Sequence, residues 1–233
     1  MKKCIALLLT GVMLLGLLSG CNTYQNDDSA SSAGSTSNTA DGVSADFTMA
    51  YNGVVTLNPI MSQSSNDFNL FYLTQIQLVR FYGDELQYDA AERYEVSDDY
   101  TVYTFHLRDA KWSNGEAVTA ADFVFGWQRA VDPATASEYS YMLSDIGQVV
   151  NAAEIIAGEK PVTDLGVTAV DDKTLEVQLN VPVSYFLSLM YFPTFYPVNE
   201  AFFNTCADTF GTSPDTVLSN GAFILTDYQP AAT

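Results

Sequence analysis

The chain has 233 residues, 48% hydrophobic and 16% charged, a globular composition that excludes disorder along its whole length. Lys and Arg number 9 against 28 Asp and Glu, giving a formal charge of -19 that argues against nucleic acid as a partner.

The first twenty residues read as a secretory signal: Lys2 and Lys3, an apolar run over 5–18, then Ser19 and Gly20. Cys21 follows directly, and Leu18-Ser19-Gly20-Cys21 has the arrangement of a bacterial lipobox, in which the cysteine is lipidated and becomes the mature N-terminus. The apolar run is short for a spanning helix of ~20 residues. Removing residues 1–20 takes away two lysines and no acid, so the body is repelled by anionic headgroups and membrane attachment rests on the acyl chains at Cys21. Cys4 falls in the signal and Cys21 is the lipid site, which leaves Cys206 without a partner for an internal disulfide. Cys206 then reads as a small, partly buried apolar residue.

Residues 22–44 are Ser, Ala, Asn, Thr, Gly and Asp with Tyr24 as the only aromatic, too polar to bury the area that offsets ordering entropy. They are expected to tether the body to its anchor. Residues 47–51 suggest a strand, and Asn58-Pro59 turns the chain after Leu57. Past a polar loop at 60–66, Phe68, Phe71, Tyr72, Gln75, Leu78 and Val79 recur at helical spacing behind Asn66 as a cap, with Gly83 as the stop. Residues 101–107 alternate as a half-buried strand, and Trp112-Ser113-Asn114-Gly115 is the turn after it. Thr119 and Asp122 signal a capped helix whose apolar face is Phe123, Trp127, Ala130 and Val131, ended by Pro133. Residues 167–170 and 175–179 form a hairpin around Asp171-Asp172-Lys173-Thr174, closed by Pro182. Helices at 184–191 and 200–204 and a strand at 222–226 complete a mixed α and β class.

Catalytic chemistry has little to draw on. His106 is the only histidine, so a Ser-His-Asp triad or a zinc site would have to use it, and its place opposite Phe105 and Leu107 in the alternating strand favours a solvent-facing or capping role. No G-x-S-x-G, H-E-x-x-H or phosphate-loop pattern occurs. Paired carboxylates are the remaining enzyme chemistry, but Asp98-Asp99 and Asp171-Asp172 sit at strand ends, where acids serve as turn formers. Fourteen Tyr and fourteen Phe suit binding, since such rings supply contact area at little rotamer cost. Tyr139-Ser140-Tyr141 is the most suggestive segment, either a packed aromatic pair or a ligand contact.

Tyr-Thr-Phe-His-Leu-Arg at 103–108, Ala-Lys-Trp-Ser-Asn-Gly at 110–115, Val118-Thr119, Asp-Phe-Val at 122–124 and Trp-Gln-Arg at 127–129 strongly resemble the oligopeptide-binding proteins of ABC importers, solute-binding family 5. The likeness continues through Asp132-Pro133, Thr-Ala-Ser at 135–137, Ile-Ala-Gly at 156–158, Lys160-Pro161, Thr-Asp-Leu-Gly-Val at 163–167, Pro182 and Ser-Asn-Gly-Ala at 219–222. It implies a periplasmic-binding-protein-like type II fold, mixed α and β, with two hinged lobes around an extended peptide. Residues 45–75 plus 200–233 correspond to the first lobe and 76–199 to the second. Family members are longer, so this chain is expected to be an N-terminal piece without the third region and the return strands.

The resemblance also implies a role without catalysis, cofactor or metal: capture of oligopeptides and their delivery to ABC permease subunits, from a lipid anchor at Cys21 on the extracytoplasmic face of the cell membrane. In the family, the loop after Asn58-Pro59 pairs with the ligand backbone. Here that segment is Gln63, Ser64 and Ser65, with Gln63 standing where a glutamate is common. Tyr139 falls on a tyrosine that contacts peptide, and Tyr141 is a weaker candidate. The groups that hold the peptide's amine and carboxylate lie, in the family, beyond the matched region. A receptor for signalling peptides on the same fold and a surface hydrolase using two carboxylates are the alternatives.

Overall fold

A computed structural model describes residues 53–228. The signal, Cys21, the tether at 22–44 and the strand expected at 47–51 lie outside the described residues. Chain contacts divide the molecule at residues 49 and 50, and everything below concerns the unit that follows.

Helix α1, Ser65–Thr74, starts at Ser64, whose hydroxyl accepts from Asn66 N–H at 3.2 Å. The cap is thus two residues ahead of Asn66. The helix also stops earlier than its apolar spacing suggests, because Gln75 turns extended and residues 75–77 are engaged elsewhere. Gln75 Nε2 donates to Leu218 O, Ile76 N–H to Asn220 Oδ1 and Gln77 Nε2 to Tyr196 Oη. Leu78 and Val79 are buried all the same, with Val79 opening a strand. Gly83, at φ +62, serves as the turn of a hairpin between β1, Val79–Tyr82, and β2, Glu85–Tyr88.

Strands β3, Ala91–Val96, and β4, Val102–Leu107, follow. In β4 Tyr103, Phe105 and Leu107 are buried while Val102, Thr104 and His106 are half-buried, the alternation that a one-sided sheet requires. Helix α2, Ala120–Val131, then begins on the capping box of Thr119 and Asp122. One oxygen, Asp122 Oδ2, accepts from Thr119 N–H at 2.8 Å, Thr119 Oγ1 at 3.3 Å and Trp112 Nε1 at 3.1 Å. A π-helical turn, Met142–Ile146, and the short helix α3, Ala152–Ile156, come next.

Strands β5, Val167–Asp171, and β6, Thr174–Gln178, form the expected hairpin. They complete an antiparallel four-stranded sheet of order β3-β4-β6-β5. Its apolar face joins Tyr103, Phe105, Leu175 and Val177 to Phe123, Trp127, Ala130 and Val131 of α2 in one core. Burial of this kind contributes roughly 25 cal/mol per Å² of apolar area and is the main force holding the layers together. Trp127 Nε1 satisfies its polar atom on Phe195 O at 2.9 Å. Next to it Gly126 lets the chain at 196–198 come so close that an added Cβ would lie 2.5 Å from Tyr196 O.

Helix α4 is short, Phe186–Leu189, inside the predicted 184–191, and its Phe186 ring sits 4.8 Å from Tyr103. Helix α5, Glu200–Cys206, is capped by Asn199 and contains the expected 200–204. Residues 222–226 are not a strand: the chain there is irregular, and Phe223 N–H donates to Leu73 O at the end of α1. The segments 57–75 and 211–223 pack on one another through Leu57 N–H to Gly211 O and through Asn220 and Gly221 N–H to Thr74 O.

Candidate functional site

The loop ahead of α1 is held from beneath. Asp67, fully buried on the first turn of the helix, accepts from Val55 N–H on one oxygen and from Ser62 Oγ on the other, both at 2.8 Å. Asn58 Oδ1 accepts from Ile60 N–H, and Ile60 O accepts from the buried Ser137 hydroxyl at 2.7 Å. These bonds fix the loop to the chain beneath it, and none of them uses the Gln63 backbone. Gln63 and Ser65 are exposed, Ser64 has extended dihedrals of -112° and 132°, and among the described residues the recorded hydrogen bonds leave the Gln63 backbone N–H and C=O free. Ser64 spends its N–H on Ser62 Oγ at 3.5 Å and its C=O on Phe68 N–H at 3.1 Å, so Gln63 is the exposed, unpaired point of main chain that another strand can join.

The Ser137–Ile60 bond also brings in the second predicted segment. Ala136, at φ 53, turns the chain, and the Tyr139 ring then lies 4.7 Å from Phe192 and 6.3 Å from Phe68. Phe68 and Phe192 are 5.0 Å apart, edge to face. Tyr141, more exposed, stands 5.9 Å from Tyr139. Phe68, one turn into α1, links the two predicted segments: its N–H donates to Ser64 O at 3.1 Å and its ring packs with Tyr139. Tyr141 extends the aromatic surface outward. Cys21 lies outside the described residues.

One turn further along α1, Tyr72 pairs with Tyr191 at 5.9 Å, and the Arg80 guanidinium covers Tyr72 at 4.4 Å. Arg80 is committed: Nε to Asp89 at 2.5 Å, Nη1 to Tyr72 O and Nη2 to Gln75 O. Burial works against its charge, and Asp89 with Tyr72 outweighs that and holds its pKa above the usual arginine value. Phe68, Tyr72, Tyr191 and Phe192 escaped the sequence reading as site residues. The i, i+4 spacing of Phe68 and Tyr72 is the signature of a core-facing stripe, and nothing local says that the stripe meets half-exposed rings instead.

The residues weighed for catalysis lie elsewhere. His106 is on the polar face of the sheet, 3.3 Å from Glu95. Asp99 accepts from Ser97 and Thr101, and Asp171 from Lys173 N–H and Thr174, the work of turn formers. Those bonds hold both carboxyls below the ordinary aspartate value, led by the Ser97 hydroxyl for Asp99 and the Lys173 N–H for Asp171. Cys206 is partly buried, its Sγ 3.6 Å from Phe202 O, in keeping with a small packed residue. Among the described residues no three His, Cys, Asp or Glu gather as metal ligands, and no helix is long and apolar enough to cross a membrane.

The family model for bacterial extracellular solute-binding proteins, family 5 Middle, matches residues 85–233. The periplasmic oligopeptide-binding protein OppA of Escherichia coli (strain K12) is 50% identical over 131 residues, 56% of this chain and 24% of its own length. Among solved structures, the substrate-binding domain of an oligopeptide ABC transporter from Bacillus anthracis superposes with a TM-score of 0.72 at 45% identity, over 75% of this chain and 34% of that one. The pheromone receptor PrgZ superposes with a TM-score of 0.74 at 33% identity, over 79% and 36%. The chain therefore spans about a quarter of the curated relative and about a third of the solved ones.

Proposed function

The chain belongs to the bacterial extracellular solute-binding proteins of family 5 and forms part of their mixed α/β, two-lobed type II fold; from that premise we propose that it captures oligopeptides for an ABC importer. The observation that carries this reading is the exposed Gln63, whose backbone N–H and C=O are free, beside the extended Ser64 and ahead of a helix whose Phe68 packs with Tyr139 and Phe192. A peptide adding to it as a strand gains main-chain hydrogen bonds whatever its sequence. Gln63, Ser64 and Ser65 are its backbone partners, and Tyr139 and Tyr141 contact its side chains. Residues 45–75 with 200–233 and residues 76–199 serve as parts of the first and second lobes, which close about the ligand. The protein performs no covalent chemistry. It is held on the extracytoplasmic face of the cell membrane by lipid at Cys21 and passes its peptide to permease subunits.

The test is calorimetric titration of the purified chain with pools of di- to hexapeptides, after a thermal melt of the same sample. Micromolar binding by a cooperatively melting protein supports the reading, and a folded protein that binds none of the pools refutes it. Anchoring is tested separately, since Cys21→Ser should move the protein from the membrane fraction to the soluble one. The likeness to a pheromone receptor favours a second reading, a receptor for signalling peptides. Narrow selectivity for a few sequences within the pools would decide for it.

A further inference from the structure

The six rings beside the loop form two groups at different heights on α1. Phe68, Tyr139, Phe192 and Tyr141 make the first and Tyr72 with Tyr191 the second. Four residues of helix separate Phe68 from Tyr72, a rise of about 6 Å. Alternate side chains on one face of an extended strand are about 6.8 Å apart. The two spacings agree closely enough for one strand to use both groups.

We propose that this aromatic shelf makes the protein selective for peptides carrying aromatic or large apolar side chains at positions i and i+2. The inference rests on the peptide-binding reading and adds to it. A ligand strand that pairs with the Gln63 backbone and runs along α1 places one side chain on the Phe68–Tyr139–Phe192 trio and the next but one on Tyr72 and Tyr191. Tyr141 and Tyr191 are 42% and 45% exposed, so ring surface remains for the ligand to cover. Among the described residues the cation against these rings is Arg80, its charge paired with Asp89 and three of its five N–H donors held by Asp89 and two backbone carbonyls. An acidic ligand side chain thus loses its water and meets a cation already paired with Asp89, whereas an apolar ring gains contact area and edge-to-face packing.

Three tetrapeptides titrated into the purified chain test this. Ala-Phe-Ala-Phe offers both rings on one face, Ala-Phe-Phe-Ala offers one per face, and tetra-alanine offers none. Each seated ring should tighten binding about tenfold, so the order is alternating, then adjacent, then alanine, with steps of that size. Tyr191→Ala removes a half-exposed ring and should erase the difference between the two phenylalanine peptides. Equal binding of all three peptides overturns the selectivity and leaves the peptide-binding reading standing, as does a difference that survives Tyr191→Ala. If none of the three binds while pooled peptides do, the selectivity is again overturned, and if no peptide of any kind binds, both readings fall.

Discussion

Replacing Asp122 tests how α2 is fastened to the chain before it. A single oxygen, Oδ2, serves three donors: the Thr119 backbone N–H, the Thr119 hydroxyl and the indole of Trp112, which is itself 4% exposed. Asp122→Ala strands all three. Hydrogen bonds to a charged acceptor are worth about 1.5–3 kcal/mol each, and a lost cap costs about 1 kcal/mol. Against this stands the release of a buried carboxylate from its desolvation, so the net loss comes to about 3 kcal/mol. Asp122→Asn keeps a carbonyl oxygen at the same place but accepts more weakly than a carboxylate while shedding its desolvation, so it should cost no more than about 1 kcal/mol. Urea unfolding followed by tryptophan fluorescence reads both variants, because Trp112 and Trp127 are buried in the folded protein.

The pH dependence of that cost supplies a second check. Burial raises the Asp122 carboxyl above its ordinary 3.8, and the bonds from Thr119 and Trp112 only partly offset this. The folded state therefore binds the proton more tightly than the unfolded one. Its stability rises as pH falls toward 3.8 through the raised value and is lost again as pH climbs back through it. The asparagine variant lacks this gain, so the gap between it and the parent should widen on acidification. An alanine variant no worse than asparagine, or a gap that narrows in acid, refutes the assignment of Oδ2 as the fastening point.

Asp99 and Asp171 behave in the opposite sense. Their carboxyls lie low, so what they add is present above the ordinary aspartate value and lost as pH falls through their lowered folded values, and carbon NMR should find both midpoints below 3.8 with Asp122 above it. Gly126→Ala drives a Cβ against the backbone oxygen of Tyr196 and should cost about 2 kcal/mol or more in urea unfolding, since main chain cannot step aside cheaply. Arg129 stacks on Phe203 at 3.6 Å, and burial lowers its pKa while its Nη1 lacks a hydrogen-bond partner. Arg129→Met should therefore change stability by less than about 1 kcal/mol in either direction, whereas Phe203→Ala should cost about 2–3 kcal/mol by opening the cluster with Phe125 and Phe210.

Elements specified by near neighbours were legible from the sequence. The alternation of β4, the capping box of α2 and the acidic turn between β5 and β6 each involve residues a few positions apart, and all stand in the structure as read. The misreadings arose where distant partners intervene. Leu78 and Val79 sit at helical spacing behind Phe71, yet the amides of Gln75 and Gln77 and the Ile76 N–H are claimed by Leu218, Tyr196 and Asn220, more than a hundred residues away, and α1 ends before them. Residues 222–226 have the composition of a strand, but the bond recorded for Phe223 N–H goes to the end of a helix. The β1–β2 hairpin has too little alternation for periodicity to find, with three of the four β2 residues exposed.

The candidate site divides in the same way. Gln63, Ser64 and Ser65 were named from the likeness of this chain to the oligopeptide-binding proteins, whereas Tyr139 and Tyr141 stood out from the sequence as either a packed pair or a ligand contact, and the likeness favoured the latter for Tyr139. Local sequence by itself determined the mixed class, the sheet hairpin, the capped helix and the acidic turns, because hydrogen bonds and side-chain alternation within a few residues dictate them. Only the tertiary structure decided which rings share a surface. Phe68 and Tyr72 look like core until Ser137 bonds to Ile60 and Tyr139, Tyr191 and Phe192 come to rest against α1, a meeting set by the packing of segments that no local pattern records.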